Sequence, residues 1–210
     1  MKTIFAVLLA LTAICVAQGP KHDAVQVTRW CSATVDIRRA HEVQVICNRI
    51  ERDLKRYQSV AKTTGVPAVV IAGLHAMEAD GNFNLHLHEG SPLKFRTRYV
   101  PKGRPLPPSQ PPFKWEFSAA DALAYDHMQE KNWSSLGASL SACEGYNGWG
   151  TAKYHPETPT PYLYAATSEE RPGKYIKDGV WSSTARSSQI GIVAIWKELA
   201  RRNLVILPSR

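Results

Sequence analysis

The residue best suited to acid–base chemistry is Glu78, a lone carboxylate in the apolar stretch GVPAVVIAGLHAMEADGNF at residues 65–83. Burying a carboxylate without a partner is costly, so such a glutamate keeps its proton to higher pH and becomes a usable general acid near neutrality. The simpler alternative is a surface glutamate on a half-exposed helix, which is the commoner situation for a single Glu.

A helix must position Glu78. Pro67 fits a first helical turn, and Asp80-Gly81-Asn82 supplies a stop signal. Apolar residues at helical spacing form the core-facing side: Val66, Val70, Leu74 and Met77. Glu78 then lies near the helix C-terminus, where the helix dipole disfavours negative charge and raises the pKa of the carboxyl further.

Residues 1–17 have the pattern of a signal peptide. Lys2 gives a positive start, residues 4–16 are apolar, and Ala17 is a small residue suited to cleavage before Gln18. We therefore expect an exported protein, periplasmic or secreted, with no stable membrane insertion after cleavage. An uncleaved signal anchor is the alternative, although the run is short for a membrane span.

Composition predicts one domain over residues 18–210. The chain of 210 residues is 44% hydrophobic and 21% charged, which is enough for one well-cored domain. Residues 1–17 contain one lysine and no acid, so their removal lowers the formal net charge from +8 to +7. A basic exported protein suits a polyanionic partner such as a cell wall or a membrane surface. We expect no nucleic-acid binding, because the cations are scattered and no binding motif is present.

Three cysteines follow residue 17: Cys31, Cys47 and Cys143. An odd number prevents complete pairing within the chain, and the spacing is not that of a metal site. One disulfide would be compatible with an oxidising compartment. Cys47 lies on the apolar face of a predicted helix and is expected to be buried.

The predicted fold class is α+β, mainly α. Apolar periodicity predicts a long amphipathic helix over residues 36–63, with Asp36 as N-cap and Gly65 as the stop. Further helices are predicted over 118–131, starting from a capping-box-like Ser118, and over 134–144 and 183–202.

Residues 83–117 differ in character from the helical regions. Alternation over residues 85–88 and the stretch 94–100 predict strands, and six prolines follow between residues 101 and 112. Prolines exclude a helix here, so we expect a small β-lobe with a Pro-rich loop that walls one side of a cleft.

Aromatic and amide side chains on glycine-rich turns indicate a carbohydrate site. Sugar rings stack on aromatic planes, while amides bond their hydroxyl and N-acetyl groups. The candidates are Tyr146, Asn147, Trp149, Tyr162 and Tyr164. The alternative is that these rings fill the core beneath loops.

Two motifs carry a resemblance to a known family: the apolar helix that ends in Met77-Glu78 and is followed by Asn82-Phe83, and the turn Tyr146-Asn147-Gly148. Both resemble motifs of the goose-type lysozyme and lytic transglycosylase superfamily. Five short patterns resemble a bacterial and phage subgroup of it: LHxGxPL at 87–93, VPxGRP at 100–105, YNGWG at 146–150, PYL at 161–163 and GKY at 173–175. Ala79 departs from the usual serine after the catalytic glutamate.

The resemblance implies a lysozyme-like domain that cleaves peptidoglycan between N-acetylmuramic acid and N-acetylglucosamine. Glu78 would be general acid and base, and either water or the sugar's own 6-hydroxyl would attack. Substrate-binding roles fall to Tyr146, Asn147, Trp149, Tyr162, Glu89 and His88. Glu89, Asp80 and Asp121 are candidates for a second carboxylate. We expect a monomer without a cofactor or resident metal.

Two other classes of protein compete for the same residues. His75 and Glu78 share a helical face and His86 and His88 share one side of a predicted strand, so a metal-dependent hydrolase is conceivable. The established zinc pattern His-Glu-x-x-His is missing. The third class is a non-catalytic cell-wall-binding protein on the same fold, because a fold does not fix function.

Overall fold

The computed structural model describes residues 20–205 and residue 207, and it confirms a mainly α-helical α+β fold. The predicted signal peptide lies outside the described residues. The elements follow in the order α1 (Pro20–Ser32), α2 (Ala40–Arg52), α3 (Leu54–Thr64), α4 (Ala68–Ala79), α5 (Trp115–Tyr125), α6 (Leu136–Asn147), α7 (Gly150–Tyr154), α8 (Pro161–Tyr164), β1 (Lys174–Lys177), β2 (Val180–Ser182) and α9 (Ile192–Arg201). Short 3-10 helices cover Ile37–Arg39 and Met128–Glu130.

Helix α4 lies at the centre of the core. Residues 69–75 are all buried, and α3, α6 and α9 pack around them. The indole Nε1 of Trp196 on α9 donates to the carbonyl of Val69 over 3.0 Å, next to Gly73, where a Cβ would lie 3.0 Å from that nitrogen. The helix ends as predicted, at Asp80 with a left-handed φ of 49°. This packing fixes the helix end that carries Glu78.

The prediction of one continuous helix over residues 36–63 is wrong. Asp36 caps only the 3-10 helix, accepting a 3.0 Å hydrogen bond from the Arg38 amide, and Asp53 separates α2 from α3 with φ −101° and ψ 12°. Aspartate favours helix ends over helix interiors. The spacing of apolar residues carries no information about this preference, so it predicted one continuous helix. Gly65 ends α3 as predicted, with φ 76°.

The predicted strands at 85–88 and 94–100 are also wrong. Turns held by backbone hydrogen bonds replace them, such as His86 N to Ser91 O at 2.8 Å, with one isolated bridge between Leu85 and Pro92. The alternating residues His86, Leu87 and His88 are all buried, so they have no exposed strand face. Among the described residues the sheet is instead the antiparallel β1–β2 hairpin.

Helices α5, α6 and α9, in the C-terminal half of the chain, begin or end at residues other than those predicted. Helix α5 begins at Trp115, so Ser118 lies inside it, and its hydroxyl contacts His86 Nδ1 at 2.7 Å instead of capping the helix. Ser135 caps α6, with its Oγ 3.5 Å from the Ala138 amide. Helix α9 covers only the second half of the predicted 183–202 segment.

No single helix in residues 20–205 is both long and apolar enough to cross a membrane. Helices α3 and α4 together reach the required length and apolar composition, but they are bent by 114° relative to each other. Cys31 is exposed, Cys47 and Cys143 are buried, and all three are free thiols. The burial predicted for Cys47 is confirmed: the thiol contacts the carbonyl of Ile195 at 3.7 Å.

Candidate active site

Glu78 lies in the last turn of α4 with a partly exposed side chain. Its Oε1 accepts a hydrogen bond of 2.8 Å from the phenol of Tyr162. Burial raises the pKa of the Glu78 carboxyl to about 7; the Tyr162 hydrogen bond opposes that rise, and the negative charge of Asp126 adds to it. A carboxyl with this pKa is partly protonated near neutrality, which a general acid requires.

Tyr162 reaches Glu78 from the short helix α8. Pro161 at the first position of that helix fixes the local backbone, and Tyr162 is only 7% exposed. Burial and the neighbouring Glu78 charge hold the pKa of the phenol well above its usual range. Tyr162 therefore stays a neutral hydrogen-bond donor to the carboxylate.

Two further contacts hold the end of α4. The side-chain amide of Gln189 donates to the carbonyl of Met77 over 2.8 Å. Gly90, with φ 76°, lies so close that a Cβ there would be 2.9 Å from the carbonyl of Glu78. The turn at 87–90 thus sits directly against the catalytic candidate, and only glycine suits its tip.

Tyr146, in the last turn of α6, joins this turn to the site. Its phenol donates to the carbonyl of Leu87 over 3.1 Å. Burial raises the pKa of that phenol well above its usual range, and the charges of Glu78 and Asp126 raise it further. Tyr146, Glu78 and Asp126 therefore share one electrostatic environment.

Asp126 is a site residue that sequence reasoning missed. It follows the last residue of α5, and burial raises the pKa of its carboxyl to about 6. No motif surrounds Asp126 in the sequence. The packing of α5 places its negative charge where it raises the pKa of Glu78.

A cleft of about 500 Å³ opens beside Tyr162, the hydrogen-bond partner of Glu78, although Glu78 itself is not one of its wall residues. Tyr162 and Gln189 belong both to its wall and to the support of Glu78 and α4. The rest of the wall combines aromatic, hydroxyl, amide and charged groups, including Asn147, Thr151, Tyr154, Thr160, Lys174, Tyr175, Lys177 and Asp178. Such a mixture suits a polar ligand with flat apolar faces, as a sugar has.

Five candidates from the sequence are not wall residues of this cleft: Tyr146, Glu89, Trp149, Tyr164 and His88. Trp149 packs on Gly145 and meets the His22 ring edge-on at 5.5 Å. Tyr164 is fully buried and donates to Gln26 Oε1 over 2.6 Å. The side chain of His88 is 0% exposed, and its Nε2 contacts Asp121 Oδ2 at 2.9 Å. Trp149, Tyr164 and His88 thus make contacts within the fold, whereas Asn147 and Tyr162 line the cleft and Tyr146 lies where the Glu78 charge raises its pKa.

Of the three acids predicted as a second carboxylate, Asp80 and Asp121 are engaged elsewhere, whereas Glu89 lies in the turn beside Glu78 and its Oε2 is buried without a hydrogen-bond partner among the described residues. Asp80 is 88% exposed and lies 3.9 Å from Arg49. Asp121 accepts hydrogen bonds from Arg104 at 2.6 and 3.0 Å. Glu89 accepts through Oε1 from the amide and the hydroxyl of Ser91, which closes the turn at 89–91.

The histidines of the metal alternative are each hydrogen-bonded to another group. His75 contacts the Tyr57 hydroxyl at 2.9 Å within an aromatic cluster, and burial lowers its pKa to about 4. Both ring nitrogens of His86 are engaged, Nδ1 with Ser118 and Nε2 with the carbonyl of Phe95. Within residues 20–205, no group of three or more His, Cys, Asp or Glu side chains is arranged to hold a metal ion.

No protein-family model, curated protein or solved structure matches the chain. The residues around Glu78 and the motifs quoted above are therefore the basis for assigning a function.

Proposed function

We propose that this chain cleaves the glycan strands of peptidoglycan, as a lysozyme or a lytic transglycosylase, with Glu78 as general acid. The observation that carries the proposal is the Glu78 carboxyl itself: it has a pKa of about 7, is partly exposed, and is hydrogen-bonded to a tyrosine of the cleft wall. The resemblance of its helix and of the Tyr146-Asn147 motif to those of lysozyme-like enzymes supports the same substrate.

In the proposed reaction, protonated Glu78 gives its proton to the glycosidic oxygen as the bond to the anomeric carbon breaks. The positive charge that develops at that carbon is then close to the new Glu78 carboxylate, which stabilises it. Glu78 next takes a proton from the attacking oxygen and returns to its starting state. Tyr162 donates to Oε1 of Glu78 and keeps the carboxyl group oriented.

Two nucleophiles are compatible with this site. Attack by water releases a reducing sugar, and attack by the 6-hydroxyl of the same sugar releases an anhydro end. Asp126 is the half-buried carboxyl whose charge raises the pKa of Glu78. In the hydrolytic version it is our candidate for the group that orients water; the intramolecular version needs only Glu78.

A lysis assay of the Glu78→Gln variant on purified cell walls distinguishes a glycosidase from a metal-dependent hydrolase and from a non-catalytic wall-binding protein. Glutamine keeps the shape of the side chain but carries no transferable proton, so the proposal predicts loss of lysis with wall binding retained. The matched control is Glu157→Gln, a substitution of an exposed glutamate.

Two results would contradict the proposal. Lysis that persists in Glu78→Gln and disappears with chelator would favour the metal-dependent hydrolase. Binding without lysis by the unsubstituted chain would favour a wall-binding protein.

A further inference from the structure

Residues 90–115 are the most basic part of the chain. They contain six lysines and arginines and no acidic residue. Strongly exposed apolar side chains are concentrated in the same segment: Phe95 (45%), Tyr99 (70%), Val100 (82%) and Leu106 (54%). Exposed apolar groups that cluster within a rim of polar or charged residues mark interaction sites.

The tip of this segment is an ordered loop. Thr97, only 3% exposed, accepts a 2.9 Å backbone hydrogen bond from Gly103 and donates one of 2.9 Å to Arg104. Its hydroxyl bonds the carbonyl of Pro101 and accepts from the Arg104 amide at 2.8 Å. Residues 98–102 are therefore held out from the body of the protein by a closed ring of hydrogen bonds.

Cations and apolar groups share one surface at this tip. The Arg98 guanidinium lies 5.0 Å from the centroid of the Phe95 ring, and the Lys94 ammonium lies 5.4 Å from it. We define the tip surface as Lys94, Phe95, Arg98, Tyr99, Val100 and Lys102.

The cations of the tip surface are available to a partner. Lys94, Arg98 and Lys102 make no ion pair with any acidic side chain that the structure describes. Arg104, by contrast, is neutralised by Asp121 at 2.6 Å. Positive charge is thus left uncompensated at the exposed end of the loop and compensated at its base.

We propose that the tip surface docks on the anionic headgroups of a lipid membrane, with Tyr99 and Val100 entering the interfacial layer. Lysine and arginine are attracted to anionic lipid, and tyrosine favours the boundary between headgroups and acyl chains. An anionic wall polymer would satisfy the three cations but would leave Tyr99 and Val100 in water. The ordered loop lowers the entropic cost of presenting both kinds of group together.

The test is a polarity-sensitive fluorophore, nitrobenzoxadiazole, attached at position 99 of the full chain. Cys31 is the exposed thiol and is replaced by serine, while the buried Cys47 and Cys143 do not react. Tyr99→Cys carries the dye, and Ile37→Cys, at a site that is 86% exposed, is the matched control. With vesicles of equal parts phosphatidylglycerol and phosphatidylcholine, we expect a blue shift and brightening at position 99 only. Pure phosphatidylcholine should give neither.

Charge removal separates specific docking from general attraction. In the labelled chain, Arg98→Gln with Lys102→Gln should raise the lipid concentration at half-maximal signal by about 25-fold, since each cation contributes about 1 kcal/mol near an anionic surface. The control pair, Lys55→Gln with Lys62→Gln, removes the same charge from the exposed side of α3. It should raise the lipid concentration at half-maximal signal far less.

The proposal is overturned by any of three results. These are no spectral change at position 99, an equal change at position 37, and an equal loss in both double variants. A response to soluble lipoteichoic acid without one to vesicles would also overturn it and would indicate a polymer-binding loop.

Discussion

The phenol of Tyr162 donates a 2.8 Å hydrogen bond to Oε1 of Glu78, across 84 positions of sequence. This bond favours the ionised carboxylate, whereas burial and the charge of Asp126 favour the protonated acid. The balance leaves the pKa of Glu78 at about 7. Acid strength at this site is therefore set by burial, Tyr162 and Asp126, and the contributions of Tyr162 and Asp126 can each be removed by substitution.

Tyr162→Phe should raise the pKa of Glu78. Removing one hydrogen bond to a carboxylate costs about 1 kcal/mol, or roughly 0.7 pH unit. A general acid works only while protonated, so activity falls as pH rises through its pKa. The alkaline limb of the kcat/KM profile should therefore move to higher pH in this variant. Tyr154→Phe, at an exposed ring of the same cleft, should leave the limb in place.

Asp126→Asn should move the same limb in the opposite direction. Without the neighbouring negative charge the Glu78 carboxylate is easier to form, so its pKa falls. The control is Asp178→Asn, which removes an exposed carboxylate from the cleft wall. Profiles that shift equally in both variants would show that Asp126 has no special relation to Glu78.

Glu78→Gln should stabilise the protein at alkaline pH. The pKa of Glu78 is about 7 in the folded protein, against an ordinary value of 4.5 for a glutamate in the unfolded chain. Below pH 4.5 the group is protonated in both states and carries no penalty, and above pH 7 the folded state carries the full cost of burying the charge. The free energy of unfolding of the wild type should therefore drop by ~1–3 kcal/mol relative to Glu78→Gln between pH 5 and 8.

Denaturant unfolding at both pH values measures this difference. Glu130→Gln is the control, because that exposed carboxylate pairs with His127, which lowers its pKa. It should not show the alkaline loss. A Glu78→Gln variant no more stable than wild type at pH 8 would mean that the carboxylate is well solvated.

Gln26→Ala should destabilise the contact between α1 and α6. The Gln26 amide donates to the buried carboxylate of Glu144 over 2.7 Å, and His22 Nε2 lies 2.8 Å from the same oxygen. Removing Gln26 also leaves the Tyr164 hydroxyl without its 2.6 Å acceptor. Loss of a partner for a buried charge costs ~2–4 kcal/mol. Thermal or denaturant unfolding checks this against Gln58→Ala, an exposed glutamine on α3.

Local patterns predicted the surroundings of Glu78 well. An apolar run that contains a single carboxylate and ends in Asp80-Gly81 predicts a buried helix with an acid at its end, and α4 is such a helix. The signal is strong because it depends on residues within a few turns of one another. Gly65 was predictable for the same reason, since a left-handed stop favours glycine.

Contacts between distant segments were not predictable in this way. Tyr162 was expected among the sugar-binding residues, but its bond to Glu78 depends on how α8 packs against the core. Asp126 has no local signal at all. The strands predicted around His86 and His88 were wrong because alternation of leucine and histidine marks a half-exposed strand only when the histidines face water, and here they are buried.

The central claim is that Glu78 breaks glycosidic bonds, and mass spectrometry of the fragments released from purified peptidoglycan tests it most directly. We predict soluble muropeptides with newly formed sugar ends, either all anhydro or all reducing, from the wild-type chain and none from Glu78→Gln. Fragments whose new ends lie in the peptide stems, or new sugar ends produced equally by Glu78→Gln, would contradict the account.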